Sequence, residues 1–178
     1  MITETLEARV HDLRCDAQRS IRYHMARVRF FRFWSSGFSF VSLISGSSVV
    51  VSILAAAPIW IALTAGFIIV VTQAIELIWD LSGNARLHSS LASEFNSIEQ
   101  AIVLAGDELN DDTYRRLEAE RLKTETREPP IKRWLDLICH NEVAHAMGSS
   151  DIYEVPFWPR LGAQWLSGTG IEPKRIAV

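Results

Sequence analysis

The chain has 178 residues, a net charge of −3 and 48% hydrophobic residues, enough for about one domain and too apolar for a disordered, solvating segment. Two cysteines imply no disulfide framework, and the acidic balance is poor footing for bulk nucleic-acid binding. The apolar residues are concentrated, since no Asp, Glu, Lys or Arg occurs from Phe33 to Ile75.

Residues 1–32 come first. Leu6, Val10, Leu13, Ala17, Ile21 and Met25 recur every three to four positions, which predicts an amphipathic helix. Its second half carries Arg19, Arg22, Arg27, Arg29 and Arg32 without an acid, so the expectation is a basic cytoplasmic helix leading into a membrane. Residues 33–81 then read as two transmembrane helices, about 33–54 and 59–81, joined at Ala55-Ala56-Ala57-Pro58. Each half is long enough, because about 20 helical residues at ~1.5 Å cover roughly 30 Å of hydrocarbon. Pro58 is placed to start the second helix, where its missing N–H costs nothing. A signal peptide is disfavoured because the apolar run begins only after a charged helical stretch and is followed by a second span. A buried soluble hairpin is disfavoured because the rest of the chain is too polar to wrap it. Basic residues flank the pair and the hairpin is uncharged, so both termini are expected in the cytoplasm. Trp34 and Trp79 then fall at the inner interface and Trp60 at the outer one.

The first span contains "SSGFSFVSLISGSSVVVS", residues 35–52. Ser35, Ser39, Ser42, Ser45, Ser48 (or Ser47) and Ser52 form one stripe at helical spacing. Two readings of the stripe stand side by side. Small hydroxyl residues let helices pack closely, with Gly37 and Gly46 assisting; alternatively, several copies of the chain arrange the stripe around a water-filled path. The second span is more apolar, apart from Gln73, Glu76 and Asp80 near its inner end. An ionisable group inside a span is a functional suspect. Glu76 and Asp80 are expected either to bridge to Arg29 or Arg32, or to form an acidic vestibule favouring cations.

Residues 82–147 read as a cytoplasmic helical region. Leu87, Leu91, Phe95, Ile98, Ile102 and Val103 place a helix over 85–104, either separate or continuous with the second span. A turn at 106–112 precedes a charged helix over 114–125, Pro129-Pro130 stops it, and residues 131–147 form one more helix. The tail, 148–178, lacks helical period; it is expected to dock through Phe157, Trp158 and Trp165, or to be partly disordered. The sequence "HNEVAH" differs from a zinc-protease helix in having its histidines five apart and Asn141 where Glu is needed. No catalytic residue, metal site or cofactor is expected, and an assembly of His11, Cys15, Cys139 and His140 around zinc is disfavoured. Arg115, Arg116 and Arg121, with Lys132, Arg133 and Trp134, are the candidates for gripping phosphate and stacking on a base; the plainer alternative is a solvated face paired with Glu118, Glu120 and Glu125.

An amphipathic basic helix, two close spans, a helix bearing "ARLHSSLASEFNSIEQAI" and an acidic helical segment ending "EPP" together resemble the SLATT family of two-transmembrane effectors of bacterial conflict systems. The likeness covers about residues 8–147 and is one of layout. It implies an all-α, homo-oligomeric, pore-forming protein of the bacterial inner membrane. It further implies a nucleotide or oligonucleotide signal, made by a partner nucleotidyltransferase, that controls the pore and so depolarises the membrane and arrests growth in anti-phage defence. Four or more copies in contact with membrane lipid are expected, since one hairpin is too thin to enclose water. A non-conducting oligomeric scaffold for a cytoplasmic partner is the alternative.

Overall fold

The computed structural model describes residues 5–167 and 174–176. Helix α1 (Leu6–Leu54) is continuous, so the amphipathic helix and the first span expected beside it are one element. No proline interrupts it, and its helical period persists while its composition changes from amphipathic to apolar. A turn of Ala55 to Ala57 follows. Ala57 N–H donates to the Ser52 carbonyl at 2.9 Å and Ala56 N–H to that of Ile53 at 3.2 Å, while Ala56 has φ +50°. This is a Schellman closure with alanine where glycine is the usual residue.

Pro58 caps α2 (Ile59–Trp79), and Asp80, with φ 41° and ψ 54°, ends it. Asp80 also opens α3 (Leu81–Ala105): its Oδ1 accepts from Gly83 N–H at 3.0 Å, and the Asn84 side-chain amide donates to the Trp79 carbonyl at 2.8 Å. The second span and the following helix are therefore two elements rather than one. A short 3-10 turn (Gly106–Glu108) leads to α4 (Asp111–Glu125), whose N-cap Asn110 accepts from Thr113 N–H. Helix α5 (Arg133–Ala146) follows. The tail adds β1 (Ile152–Tyr153), α6 (Phe157–Leu161) and β2 (Arg175–Ile176), with β1 and β2 antiparallel and Ile152 opposite Ile176. The expected all-helical fold thus carries one two-residue ladder. Residues 1–4, 168–173 and 177–178 of the expected terminal segments lie outside the described residues.

The chain divides into two packing units, one made of residues up to Ala26 and from His88 onward, the other of Arg27–Leu87. In the first, Leu13, Phe95, Ile98, Ile102 and Leu117 form one buried cluster, and Tyr23, Trp134, Leu135, Leu137, Cys139 and Ala163 form another. Ion pairs Arg9–Asp111 and Arg127–Glu94 tie its helices together. The tail docks here through Ala163, Tyr153 and Val155; the expected anchors Phe157, Trp158 and Trp165 remain 66%, 77% and 49% exposed.

In the second unit, Phe31, Leu81 and Ala85 are buried against Phe30, Trp34 and Phe38, and the Arg27 guanidinium lies 4.5 Å from the Phe31 ring centre. The helices of this unit are long and apolar enough to cross a membrane. Phe40, Leu43 and Ile53 on α1, and Trp60, Phe67 and Ile78 on α2, are all more than half exposed. Such a continuous apolar surface is rare in a monomer facing water.

Candidate functional site: a hydroxyl seam in the hairpin

Six polar side chains meet where α1 and α2 face each other. The Ser42 and Thr72 hydroxyls are 2.8 Å apart, and the Gln73 amide donates to Ser42 Oγ at 3.1 Å. Nearer the Asp80 end, Glu76 Oε1 accepts from Ser35 Oγ at 3.1 Å and from Ser82 Oγ at 2.6 Å. Ser45 and Ser52 are each 7% exposed on the same side of α1, as are Ala65 and Thr72 on α2. Positions 35, 42, 45, 49 and 52 on α1 and 65, 69, 72 and 76 on α2 follow the spacing of a packed helix pair, with small residues that allow close approach. Cross-helix hydroxyl bonds of this kind contribute about 0.6 kcal/mol each in a membrane.

The stripe therefore divides. Ser35, Ser42, Ser45 and Ser52 lie in the hairpin's own seam. Ser48 is half-buried and bonds back to the Ile44 carbonyl at 2.9 Å. Ser39 is exposed, as are Ser36 and Ser47, and Ser47 bonds back to the Leu43 carbonyl. Ser36, Ser39, Leu43, Ser47 and Val50 make a second face at three- to four-residue spacing, turned away from α2. Among the described residues the hydroxyls of Ser36 and Ser39 make no hydrogen bond.

Glu76 forms no ion pair with Arg29 or Arg32 among the described residues; serine hydroxyls hold one of its oxygens, and its Oε2 is buried without a partner. Arg29 and Arg32 are exposed. Asp80 is a helix cap, which accounts for its place at the end of α2 without a vestibule. The hydroxyls of Thr72 and Ser82 were the members of this seam that sequence reasoning left out; Thr72 was visible as one of few polar residues in the second span, one helical turn before Glu76.

The expected phosphate-gripping set is not assembled. Arg121 is enclosed by Glu118, at 2.7 Å, and Glu125; the guanidinium pulls the Glu118 carboxyl down and is itself held charged, while burial pushes Glu125 up. Arg115 pairs with Asp111 at 2.7 Å, and Arg9 is the larger cause holding the Asp111 carboxyl below its usual range. Lys132 Nζ donates to the Trp165 carbonyl and to Ser167 Oγ. Trp134 is 6% exposed, so its indole is not offered for stacking. Arg116 and Arg133 alone of the set are exposed and without an acidic partner among the described residues.

Two cavities of the first unit, about 380 and 400 Å³, share Arg19 and each set three carboxylates beside it: Asp12, Asp16 and Asp151 in one, Glu125, Glu128 and Asp136 in the other. Neither suits a polyanion. His11 Nε2 lies 3.5 Å from Cys15 Sγ and His140 lines the same cavity, but Cys139 is buried in the core and no three of these ligand types among the described residues could hold a metal ion. Burial, with Asp12 and Asp16 nearby, pushes the Cys15 thiol up, which disfavours thiolate chemistry.

One network escaped sequence reasoning. His24 and His88 are 0% and 2% exposed, with their Nδ1 atoms 2.8 Å apart, and His24 Nε2 is 3.0 Å from Glu128 Oε1. The Phe95 ring stacks on His24 at 5.7 Å. Its signal was periodic: His24 is seven residues beyond Ala17 on the buried face of α1, and His88 lies between Ala85 and Ala92 on that of α3.

Comparison of the chain with protein-family models, with curated proteins and with solved structures gives no match.

Proposed function

We propose that this chain is an integral membrane protein that acts as a homo-oligomeric, ion-conducting effector of the bacterial inner membrane, with both termini in the cytoplasm. The observation that carries this reading is the second hydroxyl face of α1. An exposed hydroxyl in hydrocarbon lacks the partner that water would give it, and polar groups at that depth belong against protein or a water-filled path. Among the described residues Ser36 and Ser39 have no such partner. In a ring of four or more copies this face meets the neighbours and the central axis, and the path runs past Ser36, Ser39 and Ser47, while Ser35, Ser42, Ser45 and Ser52 keep the hairpin closed.

The resemblance supplies the rest of the reading. Conduction would depolarise the membrane and arrest growth in anti-phage defence, under a nucleotide signal from a partner nucleotidyltransferase. Arg116 and Arg133 are the cations open to such a ligand, which shifts the equilibrium only by preferring one pore state.

A non-conducting scaffold is favoured by a different observation, the self-sufficiency of the Ser42–Thr72 seam. Ion flux through the purified protein in liposomes separates the two. Wild type is expected to conduct and Ser39→Leu to lose flux while its oligomer persists; oligomers of wild type that never pass ions, with or without nucleotide extracts, would leave the scaffold.

A further inference from the structure

The connection between α4 and α5, residues 126–132, is irregular, since Pro129 and Pro130 supply no N–H for a helix. Polar contacts strap it to the rest of the first unit. Arg127 donates to the Glu94 carboxylate of α3 at 2.7 Å, the Glu128 carboxylate lies 3.0 Å from His24 Nε2 of α1, and Lys132 N–H donates to the Tyr23 hydroxyl at 2.9 Å. The Glu128 contact continues inward through a buried titratable pair, because His24 Nδ1 is 2.8 Å from His88 Nδ1 of α3. Glu128 also lines the cavity of about 400 Å³ between the strap and α1, and Pro130 and Ile131 beside it are exposed. Protons thus have a short route in from solvent, while Phe95 covers the His24 ring from α3.

The hydrogen-bond geometry limits how many protons the network can hold. Two neutral rings satisfy it, with His88 Nδ1–H donating to His24 Nδ1 and His24 Nε2–H donating to Glu128. One imidazolium also fits, because a cationic His24 donates from both nitrogens, to His88 and to the carboxylate. Two do not fit. Both Nδ1 atoms would then carry hydrogen with no acceptor between them, and like charges would share a buried site whose ring centres are 5.1 Å apart. Solvated imidazoles each take up a proton near pH ~6.5. The closed form therefore refuses a proton that an opened form accepts.

We infer that the His24–His88 pair is an acid-sensitive latch: a second proton, entering past Glu128, parts the rings, releases the 126–132 strap and opens the cavity beneath it. The surrounding groups fix the sign. Tyr23 on α1 stands edge-on to both rings, and the guanidinium of Arg27, one turn further along, lies over the Phe31 ring. Glu94 on α3 is held by Arg127. Around the cavity, Arg19 faces Asp136 of α5 and Arg121 holds Glu125 of α4. Burial pushes the Glu125 and Asp136 carboxyls up, so their own protonation steadies the closed form as pH falls and opposes the latch rather than imitating it. The device operates whether or not the hairpin conducts ions.

The test is amide hydrogen exchange of the full chain in detergent, read on peptides covering 126–132 and corrected for intrinsic pH dependence with an unstructured peptide of the same sequence. One refused proton should lower wild-type protection about tenfold between pH ~6.5 and ~5. His88→Asn keeps near the place of Nδ1 an amide that donates or accepts without titrating, so its protection should not fall over that range. Glu128→Gln keeps the acceptor but removes the counter-charge of the first imidazolium, so its fall should steepen toward a hundredfold. Level wild-type protection overturns the latch, and so does a fall of equal size in His88→Asn. Should His88→Asn not fold, Glu128→Gln decides, and a fall no steeper than that of wild type overturns the proposal.

Discussion

Replacing His88 by leucine tests whether the buried imidazole pair holds the first unit together. With 2.8 Å between two Nδ1 atoms, one ring must donate and the other accept, and His24 is left with Nε2 for Glu128. Leucine at 88 fills space comparably but leaves His24 Nδ1 buried without a partner in a residue that is 0% exposed. An orphaned buried polar group costs about 1–3 kcal/mol. For a chain of this size that corresponds to a fall in Tm of roughly 2 to 12 °C. Thermal unfolding in detergent, followed by near-ultraviolet circular dichroism, reads the loss, because Tyr23 stands edge-on to His24 at 5.3 Å and contacts the Trp134 cluster. Glu128→Gln keeps an oxygen acceptor and should cost less than His88→Leu. A double-mutant cycle with His24→Leu should give a coupling of about 0.5–3 kcal/mol. Strict additivity, or a Tm unchanged by His88→Leu, would refute the argument that these rings depend on each other.

Two further expectations follow from local chemistry. Burial pushes the Asp136 carboxyl up against the opposing pull of Arg19, 3.5 Å away; a folded-state value above the unfolded one contributes stability below the unfolded value and loses it as pH rises through the folded one. Asp136→Asn should therefore raise Tm at neutral pH, with the difference fading as the pH falls through the carboxylate range, and a lowered Tm at neutral pH would mean that the Arg19 pair outweighs desolvation. Ala56→Gly removes a left-handed alanine, φ +50°, and should stabilise the hairpin by about 1 kcal/mol in denaturation by sodium dodecyl sulfate, an effect that a relaxed turn would not show.

The apolar run from Phe33 to Ile75 and the helical spacing of Leu91, Phe95, Ile98 and Ile102 were legible because burial repeats with the helix, and the last four are all at most 6% exposed. The turn at Ala55–Pro58 was legible for the same local reason, and Gly and Pro in the tail announced a break in periodicity. Local pattern could not separate α2 from α3, because the break is a single aspartate in a left-handed conformation that its own side chain then caps. Nor could it assign partners. Ser35 and Ser39 look equivalent on a helical wheel, yet one bonds to Glu76 and Ser82 while the hydroxyl of the other makes no hydrogen bond among the described residues. Trp134 and Trp158 are the same residue near basic neighbours, yet one is buried and the other 77% exposed. Sequence by itself determined where helices run and which are apolar enough for a membrane, since both depend on residues three and four apart. The pairing of Arg121 with Glu118 and Glu125 belongs with these local features, being three and four residues apart. Tertiary structure alone decided which hydroxyls close the hairpin, which buried histidines meet and which aromatic rings remain outside, because each of those depends on a residue far along the chain.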